Sequence, residues 1–505
     1  MNLLMPFLPI IYAGIIVAIG TFFSYILSII AGFVWGLIFF LVVFLFALLI
    51  VHPKSYPWRY IVPSFLLMFM FMIYPIIYTI QIAFTNYGTG HILTKTQVIE
   101  QLEKETFLPE NTQNFEYEIY KAKTGEILLL FRDKSKNIYK IEDKKLIKIG
   151  EGDFPKEYSN YKIVPQTQKY GEISKLQNIK IELENDTFLQ MSDLNTFSIY
   201  RQRYKYISTE DVLIDNLTGE KLIPKNGFFV RPNGQEILPG FVTNVGIENF
   251  IRLFKDERVS KPFLRVFIWN VLWATLTTFI NFAFGLFLAL LMNDKNLEFK
   301  GIYRTLLIVP WAIPSFISLL IWVGLLNTEV GVVNRILLSI FGVKIPWFLE
   351  TKWARLALFV VNLWLGYPYA MTVCLGSLQS IPEELYEAAK VDGASYFQQL
   401  KTITLPLLLT AIGPLIVGTF AFNFNNFNVI YLLTGGKPPM ADISSVAGTT
   451  DILISYTYKL AFEGGRGQDY GLAATISIIV FLIVALLSLL NFWISGMFKQ
   501  EVRYE

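Results

Sequence analysis

The sequence predicts a polytopic α-helical membrane protein of about eight transmembrane helices, with a β-rich extracytoplasmic insert domain after the third helix. Three observations carry this expectation. Apolar residues fill 53% of the 505 positions and charged ones only 16%, against about 25% charge in soluble proteins, and the mean hydropathy is +0.46. The charge is also confined: of 43 Lys and Arg and 40 Asp and Glu, 52 fall between Asn86 and Pro262, and none falls in the first 53 positions. The rest divides into apolar runs long enough for a hydrocarbon core of about 30 Å, which takes roughly 20 helical residues. Together these exclude a uniform soluble globule, a disordered chain and a collagen-like one.

In chain order the spans are expected near Phe7–Ile29, Phe33–Val51, Ile61–Phe84, Phe263–Met292, Tyr303–Leu326, Ala354–Leu378, Leu405–Leu433 and Gly471–Phe498. Only Gly32 and Gly36 separate the first two. The organisation that follows is three N-terminal helices in 1–85, a soluble insert in 86–262, and a core of five further helices in 263–505. Basic residues in short loops favour the cytoplasmic side. Lys54, Arg59, Lys295, Lys300, Arg304, Lys390, Lys401, Lys499 and Arg503 fall on one side if both termini are cytoplasmic. The insert is then outside. Lys344, Lys352, Arg355, Lys437, Lys459 and Arg466 on the other side make the bias moderate. No positive segment precedes the first apolar run, so a cleaved signal peptide is not expected.

Within the insert, Glu116-Tyr-Glu-Ile-Tyr120 and Asn178-Ile-Lys-Ile-Glu-Leu183 alternate with the period of half-buried strands. Thr124-Gly125, Gly150-Glu-Gly152, Thr218-Gly219 and Pro232-Asn-Gly234 are turn signals between them. Ile247, Phe250, Ile251 and Phe254 have the spacing of an amphipathic helix ahead of the fourth span. Binding is one reading of this domain and simple spacing another. It holds no nucleophile–base set, so no catalytic residue is assigned. Cys374 is alone and the only histidines are His52 and His91, which leaves no disulfide and no metal site. A net charge of +3 without basic clusters argues against nucleic acid.

The segment 379–406 carries a denser pattern. Ser380 and Glu383 have capping-box spacing, Pro382 suits a first helical turn, and Gly393 suits a helix end before a second short helix from Ser395. Leu385, Ala388 and Ala389 would share an apolar face. These residues alone describe either an amphipathic surface element or a docking lever for another protein. Glu387-Ala388-Ala389, Asp392-Gly393 and Ile403-Thr-Leu-Pro406 further resemble the EAA loop of ABC-importer permeases. Val361-Asn-Leu-Trp-Leu-Gly-Tyr-Pro-Tyr369, Phe420-Ala-Phe-Asn-Phe-Asn-Asn-Phe427, Ala461-Phe-Glu-Gly-Gly465 and Gly467-Gln-Asp-Tyr-Gly471 resemble the MalF-type maltose/maltodextrin permeases within that group.

That resemblance implies that Glu387, Ala388, Ala389, Asp392 and Gly393 couple the chain to ATPase subunits. It implies a second permease subunit (MalG-like), two ABC ATPase subunits (MalK-like), an extracytoplasmic maltose/maltodextrin-binding protein and a bacterial inner membrane with its lipid. ATP and Mg would be held by the ATPases, with no cofactor on this chain. No G-x-x-x-x-G-K-[ST] occurs in the sequence, so it offers no P-loop for nucleotide phosphates.

Two expected spans carry polar residues at helical spacing: Asn362, Leu365, Gly366 and Tyr369, and then Thr419, Phe422, Asn423 and Asn426. Carboxamides in hydrocarbon need partners, found in helix packing, a water-filled cavity or a ligand. The resemblance implies that these eight residues line a sugar site. Asn offers hydroxyls both donors and acceptors, and aromatic faces suit a sugar's C–H surface. Thr419 departs from the serine the family leads one to expect. A membrane receptor is a second reading. An ion-coupled transporter is a third, disfavoured by the lack of ionisable residues well inside the fifth to seventh spans.

Overall fold

A computed structural model describes residues 8–52, 61, 64–65, 67–176, 179–184, 186–294, 296–443, 445–463 and 467–494. Lys54, Arg59, Lys295, Arg466, Lys499 and Arg503, used above for orientation, lie outside these, as does Asn178. The chain forms two compact units, 1–83 with 474–486, and 84–473 with 487–505.

The first unit holds α1 (Leu8–Ala31) and α2 (Phe33–Val51), divided at Gly32. Ser24 Oγ donates to the Gly36 carbonyl across this hairpin at 2.6 Å. A π turn at Phe69–Ile73 then leads into α3 (Tyr74–Ala83).

In the second unit, α4 (Lys95–Glu103) opens the insert with the capping box Thr94–Gln97. A ten-stranded sheet follows, and α5 (Gln166–Leu176) interrupts its strands. Its central strand Asn114–Ala122 buries Phe115, Tyr117 and Ile119 on alternate positions, as expected for Glu116–Tyr120. Among the described residues the second expected run yields the strand Ile181–Glu182, and the Leu183 N–H then closes a turn onto the Thr187 carbonyl at 2.8 Å. Gly150 likewise sits inside the strand Lys145–Glu151 instead of a turn. Phe197 is at the centre of the core, edge-on to Tyr117 at 4.8 Å and Phe131 at 5.4 Å.

A five-stranded antiparallel meander from Tyr204 to Ile237 completes the insert. There the buried Asp215 carboxylate holds Arg231 at 2.5 Å. The expected amphipathic helix is α6 (Glu248–Lys255), but it buries Asn249 and Leu253 and turns Ile247, Ile251 and Phe254 outward. Phe250 of the same stripe packs on Phe84 at 5.4 Å, and Phe254 meets Phe263 edge-on at 6.2 Å.

The remaining helices are α7 (Glu257–Asn293), α8 (Lys300–Ala312), α9 (Ser315–Leu325), α10 (Val332–Phe341), α11 (Thr351–Gln379), α12 (Glu383–Val391), α13 (Tyr396–Gln399), α14 (Leu405–Phe424), α15 (Phe427–Leu433), α16 (Leu453–Phe462) and α17 (Tyr470–Ile494). Among the described residues five helices are long and apolar enough to cross a membrane, and six if one bent pair is a single span. About eight were expected. Two of the remainder are shorter apolar helices, Gly36–Val51 and Phe69–Ala83.

Two expected spans are broken, each for a local reason. Tyr303–Leu326 bends by 89° between α8 and α9, where Pro314 forces Ile313 to an extended φ of −87° and ψ of 128°. Pro310 and Pro368, also expected to kink, lie inside continuous helices. Leu405–Leu433 divides at Asn425 and Asn426. Asn270 of α7 donates to the Phe424 carbonyl at this break at 3.0 Å, and it accepts from the Leu453 N–H at the start of α16 at 2.7 Å.

At the centre α7 packs along α11, with Trp273 wholly buried against Phe359 at 5.4 Å. Beyond the break, the fully buried Asp451 accepts from Lys459 Nζ at 2.8 Å and from the Gly448 N–H at 2.6 Å. Burial pushes its carboxyl pKa up against the pull of Lys459.

Phe197→Ala should destabilise the insert by about 3–5 kcal/mol, as for buried aromatic truncations generally. Limited proteolysis of the membrane-inserted protein should then cut within 106–237 while the helices after Glu257 stay protected.

Candidate functional site

Three helices bring their polar side chains into one buried layer. From α11, Asn362 Nδ2 donates to Asn423 Oδ1 of α14 at 3.5 Å, and Asn423 Nδ2 donates to Thr278 Oγ1 of α7 at 3.3 Å. The Asn423 carbonyl accepts from Trp273 Nε1 at 3.1 Å. Asn362, Asn423, Thr277, Thr278 and Asn281 are all buried. Two atoms of this layer, Thr277 Oγ1 and Asn281 Oδ1, have no hydrogen-bond partner among the described residues.

The α7 residues Asn270, Thr277, Thr278 and Asn281 were missed from sequence, although their spacing of 7, 8 and 11 places them on one helical face. That face lies within an otherwise apolar run, which was the available signal.

The other predicted site residues are spread around this layer. A Cβ at Gly366 would sit 2.4 Å from Asn281 Nδ2. The space that glycine was expected to leave for a ligand is therefore filled by Asn281. Leu365 is partly buried against the Trp269–Trp273 cluster, and the Tyr369 ring lies 6.2 Å from Trp311. Phe422 is 67% exposed, although its helical neighbour Asn423 is buried.

Thr419 Oγ1 bonds its own helix, to Leu415 O at 2.9 Å. Asn426 departs most from expectation. It lies past the end of α14 and caps α15 through the Val429 N–H at 3.4 Å. It therefore leaves the helical face it was expected to share with Asn423.

At the far end of α11, Ser380 and Glu383 do not form the expected capping box. Ser380 is the C-cap residue of α11, with Oγ on Ser377 O at 2.8 Å, and Pro382 takes the N-cap position of α12. The box forms instead at Ser395 and Gln398, opening α13 where a second helix was expected. Gly393 ends α12 at φ +78°. The Ala394 N–H reaches the Ala389 carbonyl at 2.9 Å and the Gly393 N–H the Lys390 carbonyl at 3.0 Å, the paired bonds of a Schellman end.

No residue of α12 is buried. Glu387 and Ala388 face outward beside Leu385, Asp392 and Gly393 are exposed, and Ala389 is half-buried. Val391 is 89% exposed, with Tyr396 and Phe397 also open. Tyr386 ties this element to the protein, its hydroxyl 3.0 Å from Thr404 Oγ1 in the π turn Leu400–Thr404 that leads into α14.

Residues 281–504 match the family described as binding-protein-dependent transport system inner membrane component. Residues 66–143 match the N-terminal region of the transmembrane subunit in PBP-dependent ABC transporters. The chain is 39% identical to the maltose/maltodextrin transport system permease protein MalF of Escherichia coli K12 over 455 residues, 87% of each chain. The same figures hold for MalF of Shigella flexneri. The chain belongs to the MalF family of ABC-importer permeases.

A crystal structure of a bacterial ABC transporter that imports alginate shares 26% identity at a TM-score of 0.44, covering 50% of this chain and 84% of that one. As a permease subunit the chain is a multi-pass inner-membrane component, and the α7–α11–α14 layer and the α12 element are its two candidate working parts.

Gly366→Ala should overpack the α7–α11 contact, costing about 1–3 kcal/mol, read as a lower thermal midpoint of the purified protein. Gly393→Asp places a side chain at a left-handed position that glycine occupies freely. Assembled with its ATPases, the variant should hydrolyse ATP with uptake lost.

Proposed function

We propose that the chain carries maltose or maltodextrins across the membrane, receiving sugar from an extracytoplasmic binding protein while separate ATPase subunits drive the cycle. The observation that carries this reading is the buried layer of Asn281, Asn362 and Asn423, in which Asn281 Oδ1 and Thr277 Oγ1 stand unpartnered among the described residues. An unpartnered polar group in a membrane interior costs several kcal/mol. Such groups persist where another state supplies their partners, and sugar hydroxyls offer both donors and acceptors. The layer holds no charge, which suits a neutral substrate. The named function of the MalF relatives supports the same substrate class.

In this reading Asn362, Leu365, Gly366, Tyr369, Thr419, Phe422, Asn423 and Asn426 contact the sugar in the outward-open state. Phe422, already exposed, offers a ring face. For Asn281 to release Gly366, α7 and α11 must shift against each other. The exposed α12 element, with Glu387, Ala388, Ala389, Asp392 and Gly393, docks on an ATPase. Its tie from Tyr386 to Thr404 passes motion into α14.

A second permease subunit completes the pathway, and two ATPase subunits bind ATP and Mg. Both termini and the α12 element are cytoplasmic, and the insert is outside, where it holds the binding protein. This chain contributes positioning and binding, with no covalent step of its own.

Reconstituted with its partners in liposomes, the permease should take up maltodextrin only while ATP is hydrolysed. Uptake that persists without hydrolysis overturns the proposal. Asn423→Ala should weaken sugar retention by the purified complex about tenfold, from the loss of one or two hydrogen bonds. Unchanged retention would reduce the layer to helix packing.

A further inference from the structure

The geometry points to a binding site for the phosphodiester of a membrane phospholipid, built around Arg355 at the end of α11 remote from the α12 element. α11 has 29 residues, about 43 Å at 1.5 Å each, and exceeds a hydrocarbon core of about 30 Å. Its first turns therefore lie at headgroup depth. A cavity of about 230 Å³ opens there, lined by Arg265, Ile268, Trp269, Leu272, Arg355 and Met440 among others.

Its charges are unequally matched. Arg265 is held in a two-pronged pair by Asp442 at 2.8 and 2.6 Å. Asp451, also in the lining, is taken by Lys459, Ser455 and the Gly448 N–H. Among the described residues no carboxylate pairs with Arg355. Its Nη2 donates to the Thr449 carbonyl at 3.0 Å, its guanidinium lies 4.1 Å over the Trp269 ring, and its Nε is buried without an acceptor.

A guanidinium is permanently charged and presents five donors in a fork that fits phosphate oxygens. One carbonyl and one ring face leave that capacity largely unused. The rest of the cavity says what else the ligand carries. Ile268 and Leu272, 51% and 47% exposed, continue the wall along α7 toward the membrane interior. A phosphate on Arg355 with acyl chains along these side chains satisfies both halves. Free inorganic phosphate satisfies only the first.

The test is the complete transporter, purified gently, with its retained phospholipid counted by native mass spectrometry. Arg355→Gln should lower occupancy of the most tightly held phospholipid about tenfold. Leu272→Trp, which blocks the apolar wall and leaves the guanidinium in place, should lower it as well, and added inorganic phosphate should not displace the lipid. An unchanged lipid count in Leu272→Trp overturns the site even where the Arg355→Gln complex fails to assemble. Displacement by millimolar inorganic phosphate overturns it too, by assigning Arg355 to a free anion.

Discussion

A carboxamide in hydrocarbon must find a hydrogen-bond partner, and the core of this permease is arranged around that requirement. Asn270, Asn362 and Asn423 come from three different helices, and none could be satisfied by its own helix alone. Asn270 bonds the Phe424 carbonyl freed by the break and the Leu453 N–H at the start of α16. Asn423 bonds both Asn362 and Thr278. At the break between α14 and α15, α7 supplies a partner for the freed carbonyl, and the same helix supplies the Asn281 side chain that fills the space at Gly366. Hydrophobic packing brings α7 and α11 together, and Asn423 of α14 links them through its bonds to Thr278 and Asn362.

α14 connects the polar layer with the α12 element. It runs 20 residues from Leu405 to Phe424, about 30 Å. Its start follows the π turn where Tyr386 of α12 is held, and Asn423 lies one residue before its end. The surface element and the polar layer are thus on one rod. The Schellman bonds of α12 and the capping box of α13 make that element stiff although it buries nothing of its own. A short helix with no core holds its shape only when its ends are satisfied by backbone and capping bonds.

Much of this was legible locally. The uneven charge marked the insert, the alternation around Tyr117 found its central strand, and Gly393 and Ser395 were read correctly as the end of one helix and the start of another. What was misread depended on choices among competing partners. Ser380 could cap α12 or end α11, and it ends α11. Asn426 could continue a helical face or cap a new helix, and it caps. Pro310, Pro314 and Pro368 carry the same ring, yet only Pro314 stands at a bend, where Ile313 takes an extended backbone. The face of α6 was located by its spacing, but spacing cannot say whether the chain or its surroundings cover it.

The sequence by itself determined that this is a membrane protein with a soluble insert and a short capped helix pair after α11, because hydropathy, charge and end-capping act over a few residues. Only the tertiary structure decided which polar residues share a layer. Asn281 was invisible as a partner of Gly366 because they are 85 positions apart, and nothing in either neighbourhood encodes their meeting. Hydrogen bonds between helices depend on how the helices pack, and that packing emerges only when the apolar faces of α7, α11 and α14 are buried together.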